Sequence, residues 1–395
     1  MTTHSVFLKP KKEQSLERFH PWIFSGAIAR IEGDVKEGEL VNVFTSAKKF
    51  IARGHYQIGS IAVRVLTFKE EEIINESFWL NTIKNAFTAR KVIGVVNPPY
   101  NNTFRLIHGE GDYLPGLIID VYGETAVLQA HSVGMHLERR TIANTLLEAT
   151  DGLIKNVYYK SETTLPYKAD IDPVDNFLIG GSTDNIAIEN GLKFHVDWLK
   201  GQKTGFFIDQ RDNRALIEKY AKDKSVLNMF CYTGGFSFYA MRGEATLVHS
   251  VDSSSKAVDL TDKNIELNFP EDTRHESFAE DAFKYLDRMG NKYDVIILDP
   301  PAFAKHRKAL RNALQGYRKI NAKAFEKIKP GGILFTFSCS QVVSKDNFRT
   351  TIFSAAAIAG RKVRILHQLT QPADHPINIY HPEGEYLKGL VVYVE

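Results

Sequence analysis

Short apolar runs separated by turn residues dominate the first part of the chain. Leu40–Phe44, Phe50–Tyr56 and Ile61–Thr67 are rich in β-branched and aromatic residues, and glycines separate them. Runs of this kind predict short strands joined by turns. We therefore expect a small β-barrel at the N-terminus, over residues 1–75.

The middle of the chain mixes helical and strand-like patterns. Apolar residues recur at helical spacing over Phe78–Val92 and Met135–Ala149. Asn190-Gly191, between two strand-like runs, is a strong signal for a two-residue hairpin. We expect an α+β linking domain over residues 76–196. Its strand-like runs are Leu117–Val121, Thr125–His131, Val157–Lys160, Ile186–Glu189 and Leu192–Val196.

From residue 197 to residue 395 short apolar strands alternate with helical stretches. This alternation predicts an α/β domain whose parallel sheet has helices on both faces. Ligands of such sheets bind at the carboxyl ends of the strands, so the residues just after each strand are the candidates for function. The predicted strands are Val226–Phe230, Leu247–Asp252, Val295–Leu298 and Ile333–Phe337, and the helices are Ser255–Leu267, Ala282–Met289 and Tyr317–Ile328.

Length and composition limit the class of protein. A chain of 395 residues favours two or three domains. It has neither an apolar run of about 18 residues nor a signal-peptide pattern, so we expect a cytoplasmic protein that does not contact membranes. The chain has only two cysteines, which fits a reducing compartment and excludes a disulfide framework. Neither belongs to a CxxC pair, which argues against a structural zinc site.

Three features at the ends of predicted strands indicate a cofactor site. Gly234-Gly235 follows the first strand, where two glycines let the backbone approach a ligand closely. The spacing is not GxGxxG and there is no P-loop lysine, so dinucleotide and nucleotide triphosphate sites are disfavoured. Asp252 ends the second strand and Asp281 follows the next, although either acid alone could be a solvated loop residue. Together the three favour a ligand that contains adenosine.

The predicted strand Val295–Leu298 runs into Asp299-Pro300-Pro301. The prolines fix an extended turn, which holds the carboxylate at the edge of the sheet. There it could bind the Watson–Crick edge of a base that has left its stack, or simply cap the proline turn.

Cys339 follows the predicted strand Ile333–Phe337 and has a serine on each side. A cysteine in this polar, reachable position is a candidate nucleophile, whereas most single cysteines only pack.

The stretch from Lys305 to Ile320 contains six cations and no acid. Such a run is often a solvated helix face. Because this one follows the candidate base-contacting turn, phosphate binding is the better hypothesis. The cations are Lys305, Arg307, Lys308, Arg311, Arg318 and Lys319.

The C-terminal motifs resemble those of the bacterial large-subunit ribosomal RNA cytosine-5 methyltransferases that carry an N-terminal PUA domain. The middle segment RLIHGEGDYLPGLIIDVYG also resembles the linking domain of that family. The resemblance implies a class I methyltransferase fold with seven strands, the last antiparallel strand being Leu387–Val394. The matching motifs are QKTGFFIDQRDNR, VLNMFCYTGGF, VDSSSKAVDLTDKNIELN, DPPAF, GYRKIN, FSCS and HPEGEYLKG.

The resemblance also implies roles for individual residues. S-adenosylmethionine is the implied cofactor, with Asp252 on its ribose and Asp281 on its adenine. From the chemistry of the reaction we expect Cys339 to be the nucleophile, and we expect Asp299 to hold the base and to contact the cofactor as well. Pro300 and Pro301 stand where many related enzymes carry a second cysteine. The other implied cofactor contacts are Thr204, Phe206, Asp209, Asn228, Phe230, Gly234 and Gly235.

The function expected from these residues is methylation of C5 of a cytosine in large-subunit ribosomal RNA. Two alternatives stay open. One is an RNA methyltransferase acting on an adenine or guanine amino group, which needs no cysteine. The other is a non-catalytic RNA-binding factor in ribosome assembly. The sequence also leaves open the modified nucleotide and the oligomeric state, including a homodimer.

Overall fold

The computed structural model describes residues 4–97, 99–165, 171, 174–304 and 306–395. The chain forms two compact units, and neither is continuous in sequence. The first unit comprises Met1–Gly191, Val196–Ile208 and Ala373–Gly384. The second comprises Leu192–His195, Asp209–Pro372 and Glu385–Glu395.

The first unit begins with a six-stranded sheet in the order β2-β6-β5-β4-β1-β3. Side chains alternate between core and surface, and Val41 and Val43 are fully buried on one face of β4. This sheet occupies the region predicted to form a β-barrel. Its strands are β1 (Ser5–Leu8), β2 (Trp22–Phe24), β3 (Ile28–Glu32), β4 (Leu40–Phe44), β5 (Phe50–Tyr56) and β6 (Ile61–Thr67).

A five-stranded sheet in the order β11-β10-β9-β8-β7 completes the first unit, with helices packed on it. The region Met135–Ala149, which was predicted to be one helix, forms two helices in the structure. The first begins at Val133, before the predicted start at Met135, because Ser132 caps it. The elements are α1 (Glu76–Val92), β7 (Thr103–His108), β8 (Leu117–Tyr122), β9 (Thr125–Ala130), α2 (Val133–Leu137), α3 (Arg139–Ala149), β10 (Asn156–Tyr159), β11 (Asn176–Ile179) and β12 (Ile186–Glu189).

The second unit contains a seven-stranded sheet in the order β16-β15-β14-β17-β18-β20-β19. Neighbours from β16 to β18 are parallel, while β20 is antiparallel to both β18 and β19. This topology confirms the predicted class I methyltransferase sheet. The strands are β13 (Leu192–His195), β14 (Ser225–Met229), β15 (Leu247–Asp252), β16 (His275–Ala279), β17 (Val295–Leu298), β18 (Gly332–Ser338), β19 (Val363–Leu369) and β20 (Lys388–Val394), of which β13 lies outside this sheet.

Helices cover this sheet and bury its central strands completely, as in other parallel sheets. The order of strands along the chain reverses between β14 and β17, which makes the carboxyl ends of these two strands the switch point where ligands bind. The helices are α4 (Arg211–Ala221), α5 (Gly235–Arg242), α6 (Ser255–Asn268), α7 (Ala282–Arg288), α8 (Leu310–Lys327) and α9 (Lys345–Ile358). In the described part of the chain, none of the helices combines the length and the apolar composition that crossing a membrane requires.

Candidate active site

The loop after β14 is strained and is held by its neighbours. Phe230 and Tyr232 have φ angles of 59° and 48°, in a region that side chains other than glycine rarely adopt. Asp252 accepts a hydrogen bond from the Tyr232 N–H at 3.0 Å, and the Thr261 hydroxyl donates to the Tyr232 carbonyl at 3.0 Å. Strain maintained by surrounding contacts is common at ligand sites. The loop is therefore preformed at the switch point.

Packing requires both glycines of this loop. Gly234 has a φ of 83°, and a Cβ there would lie 2.6 Å from the Phe238 ring. A Cβ on Gly235 would lie 2.8 Å from Cδ of Arg214. Glycine is therefore needed at both positions to close the turn, whether or not a ligand approaches it.

Asn228 lies beneath the loop and is buried. Its amide nitrogen donates to the Ser237 hydroxyl at 2.9 Å, while its amide oxygen has no hydrogen-bond partner in the described chain. A buried acceptor of this kind is costly until a donor reaches it. The ammonium group of a bound S-adenosylmethionine is chemically such a donor, so the oxygen fits the predicted cofactor.

The two acids assigned to the adenosine differ in their surroundings. Asp252 is half-buried and accepts from the N–H groups of Tyr232 and Ser254, the latter at 2.9 Å. Asp281 is exposed and caps α7 by accepting from the N–H groups of Phe283 and Lys284. Each carboxylate retains lone pairs for further donors. Asp252 touches the strained loop directly, which makes it the stronger candidate for a cofactor contact.

Asp299 and Cys339 follow neighbouring parallel strands. Leu298, the last residue of β17, lies opposite Thr336 of β18. Asp299 and Cys339 are both half-buried, and each comes after the carboxyl end of its strand. The structure therefore brings together the two residues to which sequence analysis assigned the chemistry.

Tyr317 of α8 fixes the two serines beside Cys339. The Ser338 hydroxyl donates to the Tyr317 oxygen at 3.0 Å, and the Tyr317 and Ser340 oxygens are 3.1 Å apart. The Tyr317 hydroxyl keeps its proton at neutral pH as any tyrosine does, and burial raises its pKa further. These contacts hold the backbone on both sides of Cys339.

Cys231 has a different environment. It is only 6% exposed, and burial, followed by the charge of Asp252, raises the pKa of its thiol far above the usual range. A buried thiol that stays protonated is a poor nucleophile. Cys339 is therefore the better candidate of the two.

Lys388 is a site residue that sequence analysis missed. It is 5% exposed at the start of β20, and its ammonium group donates to the Ser340 carbonyl at 2.7 Å. Burial lowers the pKa of Lys388 to about 8. The available signal was a lysine that opens an otherwise apolar strand, KGLVVYV.

The basic stretch has one solvent face and one core face. Arg307 and Lys308 are exposed on a single turn of 3-10 helix, and Arg311 is exposed at the start of α8. No carboxylate lies within ion-pair distance of these three cations among the described residues. Tyr317 and Ile320 of the same stretch are buried, and Lys305 lies outside the described residues.

The residues expected to close over the cofactor are all buried. The Thr204 hydroxyl donates to Asp120 at 2.6 Å, and Phe206 lies in the same unit. Asp209 belongs to the second unit and accepts from the Tyr386 hydroxyl at 2.7 Å. Their role in cofactor binding stays a prediction.

One group of side chains in the described residues has the spacing of metal ligands. The ligand atoms of His20, His381 and Glu383 lie within 4.8 Å of one another in the first unit. Glu383 is 3.6 Å from Nε2 of His20 and 3.8 Å from Nε2 of His381. Burial lowers the pKa of His381. We assign the group no role in the reaction.

Two family models match the chain. A PUA-like domain model matches residues 6–68, and an S-adenosylmethionine-dependent methyltransferase model matches residues 132–378. The second match covers the strained loop, both acids, Asp299 and Cys339.

Curated relatives match over nearly the whole chain. A protein from Tolumonas auensis is 40% identical over 395 residues, with 98% of both chains covered. A protein from Aeromonas hydrophila is also 40% identical over 395 residues, with 98% of both chains covered. Both are described as ribosomal RNA large subunit methyltransferase I.

Solved structures support the fold. An S-adenosylmethionine-dependent methyltransferase from Streptococcus mutans is 22% identical, with a TM-score of 0.83 over 98% of this chain and 99% of that one. A methyltransferase complexed with S-adenosylhomocysteine is 21% identical, with a TM-score of 0.84 over the same shares.

Proposed function

The chain belongs to the ribosomal RNA large subunit methyltransferase I family of S-adenosylmethionine-dependent methyltransferases, and from that premise we propose its reaction. The substrate is a cytosine of large-subunit ribosomal RNA, which is methylated at C5 through a covalent adduct with Cys339. The observation that carries this proposal is the position of Cys339. It is half-buried between two serines fixed by Tyr317, and it follows the strand next to the one that ends at Asp299.

The proposed chemistry follows from the low nucleophilicity of cytosine C5. The Cys339 thiolate adds to C6, which makes C5 an enamine carbon that can accept a methyl group. Loss of the C5 proton then restores the ring and breaks the C6–S bond, which releases the thiolate. Bound S-adenosylmethionine supplies the electrophilic methyl group, and Asn228, Asp252 and Asp281 would hold it.

Asp299 would hold the target base through its N3 and N4 edge. The base must leave its stack to reach both residues, which costs a few kcal/mol unless it lies in an RNA loop. A half-buried carboxylate on a rigid Asp-Pro-Pro turn is suited to this contact because it keeps little freedom to lose on binding.

Replacing Asp252 tests the cofactor site. Asp252→Ala should weaken S-adenosylmethionine binding by about 1.5–3 kcal/mol, roughly tenfold to a hundredfold, because the ribose no longer has a charged acceptor. Isothermal titration calorimetry measures the change. Asp252→Asn is the matched variant, since it keeps one acceptor for the Tyr232 N–H and should lose less affinity. Unchanged affinity in Asp252→Ala would remove this residue from the cofactor site.

A second test concerns RNA binding by Arg307, Lys308 and Arg311. Changing all three to Gln should weaken RNA binding, because fewer phosphates are neutralised and fewer counterions are released. The slope of log affinity against log salt should fall by about 2–3, at roughly 0.7–0.9 per phosphate. Cofactor affinity should not change.

The control for this test replaces three exposed lysines of α6 and α7 with Gln, namely Lys256, Lys263 and Lys284. An unchanged salt slope in the Arg307, Lys308 and Arg311 variant would make that stretch a solvated face.

The proposal also includes an RNA-binding PUA-like domain over residues 1–75. RNA binding that remains in the Arg307, Lys308 and Arg311 variant is the part that this domain would supply. Sedimentation in these samples distinguishes a monomer from a homodimer. The proposal places the protein in the cytoplasm.

A further inference from the structure

Lys388 approaches the backbone that carries Cys339. Strands β18 and β20 are antiparallel, and Ser338 lies directly opposite Lys388. The Lys388 ammonium group donates to the Ser340 carbonyl at 2.7 Å. The cation is therefore bound to the residue that follows Cys339, while its own backbone lies opposite the residue that precedes it.

The charge of Lys388 needs an anion. A buried ammonium group is costly unless it is paired. Among the described residues, no carboxylate lies within ion-pair distance of Lys388. Glu385 is the acid whose charge acts on it, and Glu385 is already paired with Lys345 of α9. The hydrogen bond between Lys388 and Ser340 satisfies one N–H group and supplies no negative charge.

Four ionisable groups face Lys388 or its immediate surroundings. Glu385 and Cys339 favour its charged form, and Lys345 opposes it. Tyr317 of α8 faces Cys339 from another side; it is neutral at physiological pH like other tyrosines, and burial raises its pKa further. Burial lowers the pKa of Lys388 to about 8, so most of the ammonium form remains at pH 7. Asp299 also lies at this edge of the sheet, but among the described residues it is not within ion-pair distance of Lys388. A thiolate on Cys339, the residue between Ser338 and Ser340, is the anion that Lys388 is placed to pair with.

We propose that the Lys388 ammonium group stabilises the thiolate of Cys339 and thereby prepares the nucleophile for attack on the base. This inference rests on the proposed function, in which Cys339 is the nucleophile. The thiol proton passes to water, the thiolate adds to C6, and Lys388 stays protonated throughout. Lys388 is thus a positioning residue, because it acts through Cys339 and not on the substrate.

A purely structural role for Lys388 predicts a different result. In that case the bond to the Ser340 carbonyl would only join β20 to the end of β18. Removing the lysine would then lower stability without changing how the reactivity of Cys339 depends on pH. The pH profile of Cys339 therefore separates the two roles.

The experiment measures alkylation of Cys339 by iodoacetamide in the full chain, without RNA or cofactor. Rates are followed by mass spectrometry between about pH 6 and pH 10, a range that spans the usual thiol pKa. All proteins carry Cys231→Ala, so that one thiol reacts. The variants are Lys388→Met, Lys388→Gln and Lys388→Arg, with Lys362→Met as the control for loss of an exposed lysine elsewhere in the same unit.

In Lys388→Met the midpoint of the alkylation profile should rise by about one pH unit or more, so that the rate at pH 7 falls roughly tenfold. Lys388→Arg should restore most of the shift, because it keeps the charge. Lys388→Gln keeps a donor for the Ser340 carbonyl but no charge, and it should behave like Lys388→Met. Lys362→Met should leave the midpoint within a few tenths of a unit.

An unchanged midpoint in folded Lys388→Met or Lys388→Gln would overturn the inference, and circular dichroism establishes folding. If Lys388→Met does not fold, Lys388→Gln decides the question alone. Failure of the proposed function gives a different result. The midpoint would still shift, but the RNA product would not be 5-methylcytosine.

Discussion

Cys339→Ala should lose methyl transfer to RNA, by a factor of roughly a thousand or more, while Cys231→Ala retains activity within a few-fold. The reason is that only a thiolate at the end of β18 can add to C6 and activate C5. Cys231 is buried in the cofactor loop, where its thiol stays protonated. Both variants should still bind S-adenosylmethionine, which calorimetry measures.

RNA that carries 5-fluorocytosine at the target tests the same assignment by trapping the covalent complex between protein and RNA. Fluorine at C5 cannot leave as a proton does, so the adduct cannot break down after methylation. The unmodified protein and Cys231→Ala should form a complex with RNA that survives a denaturing gel. Cys339→Ala should form none.

Two outcomes would favour the other functions that the sequence left open. Methyl transfer by Cys339→Ala would exclude the cytosine-5 mechanism and favour methylation of an adenine or guanine amino group at the Asp-Pro-Pro turn. An unmodified protein that binds RNA and S-adenosylmethionine but transfers no methyl group would instead be a non-catalytic assembly factor.

The central strands β14, β15, β17 and β18 of the sheet were predictable because they are buried on both faces. Such strands appear in the sequence as continuous apolar runs, and the predicted Leu247–Asp252 and Val295–Leu298 agree with the structure at both ends. Helix α8 begins at Leu310, earlier than the predicted Tyr317. Its first two turns carry the exposed polar residues Arg311, Asn312 and Gln315, which interrupt the apolar spacing that identifies a helix.

Elements with weak patterns were not predicted. Strand β19, at the edge of the sheet, leaves residues such as Ile365 and Leu366 exposed, so its apolar positions do not mark one buried face. Helix α5 is apolar on all sides because it is buried almost entirely, and it therefore lacks the amphipathic spacing of a surface helix.

Some residues of the candidate site could likewise be predicted from the sequence, and others could not. Residues at the carboxyl ends of strands or just after them, such as Asp252, Asp299 and Cys339, could be found because ligands of a parallel sheet bind at that edge. Tyr317 and Lys388 could not, because their hydrogen bonds to the Cys339 segment join positions far apart in sequence. Only the fold brings these partners together.

Asp299→Asn should reduce the rate of methyl transfer by about a hundredfold to a thousandfold, with a much smaller effect on RNA affinity. Addition of a thiolate to C6 makes N3 basic, so the adduct presents two donors, N3–H and the N4 amino group. A carboxylate accepts from both, whereas an amide offers one acceptor and one donor. Because N3 is protonated only as the adduct forms, the hydrogen bond that the variant cannot make belongs to the transition state. Its removal therefore lowers kcat more than it raises KM.

Single-turnover rates and RNA titrations with Asp299→Asn measure the two effects separately. Asp259→Asn, an exposed change on α6, is the control for loss of an acidic group and should match the unmodified protein. Slower formation of the 5-fluorocytosine complex should accompany the lower rate, because Asp299 acts on the same addition step. If Asp299→Asn instead loses S-adenosylmethionine affinity while the rate at saturating cofactor is unchanged, Asp299 contacts the cofactor, and another group must stabilise the protonated adduct.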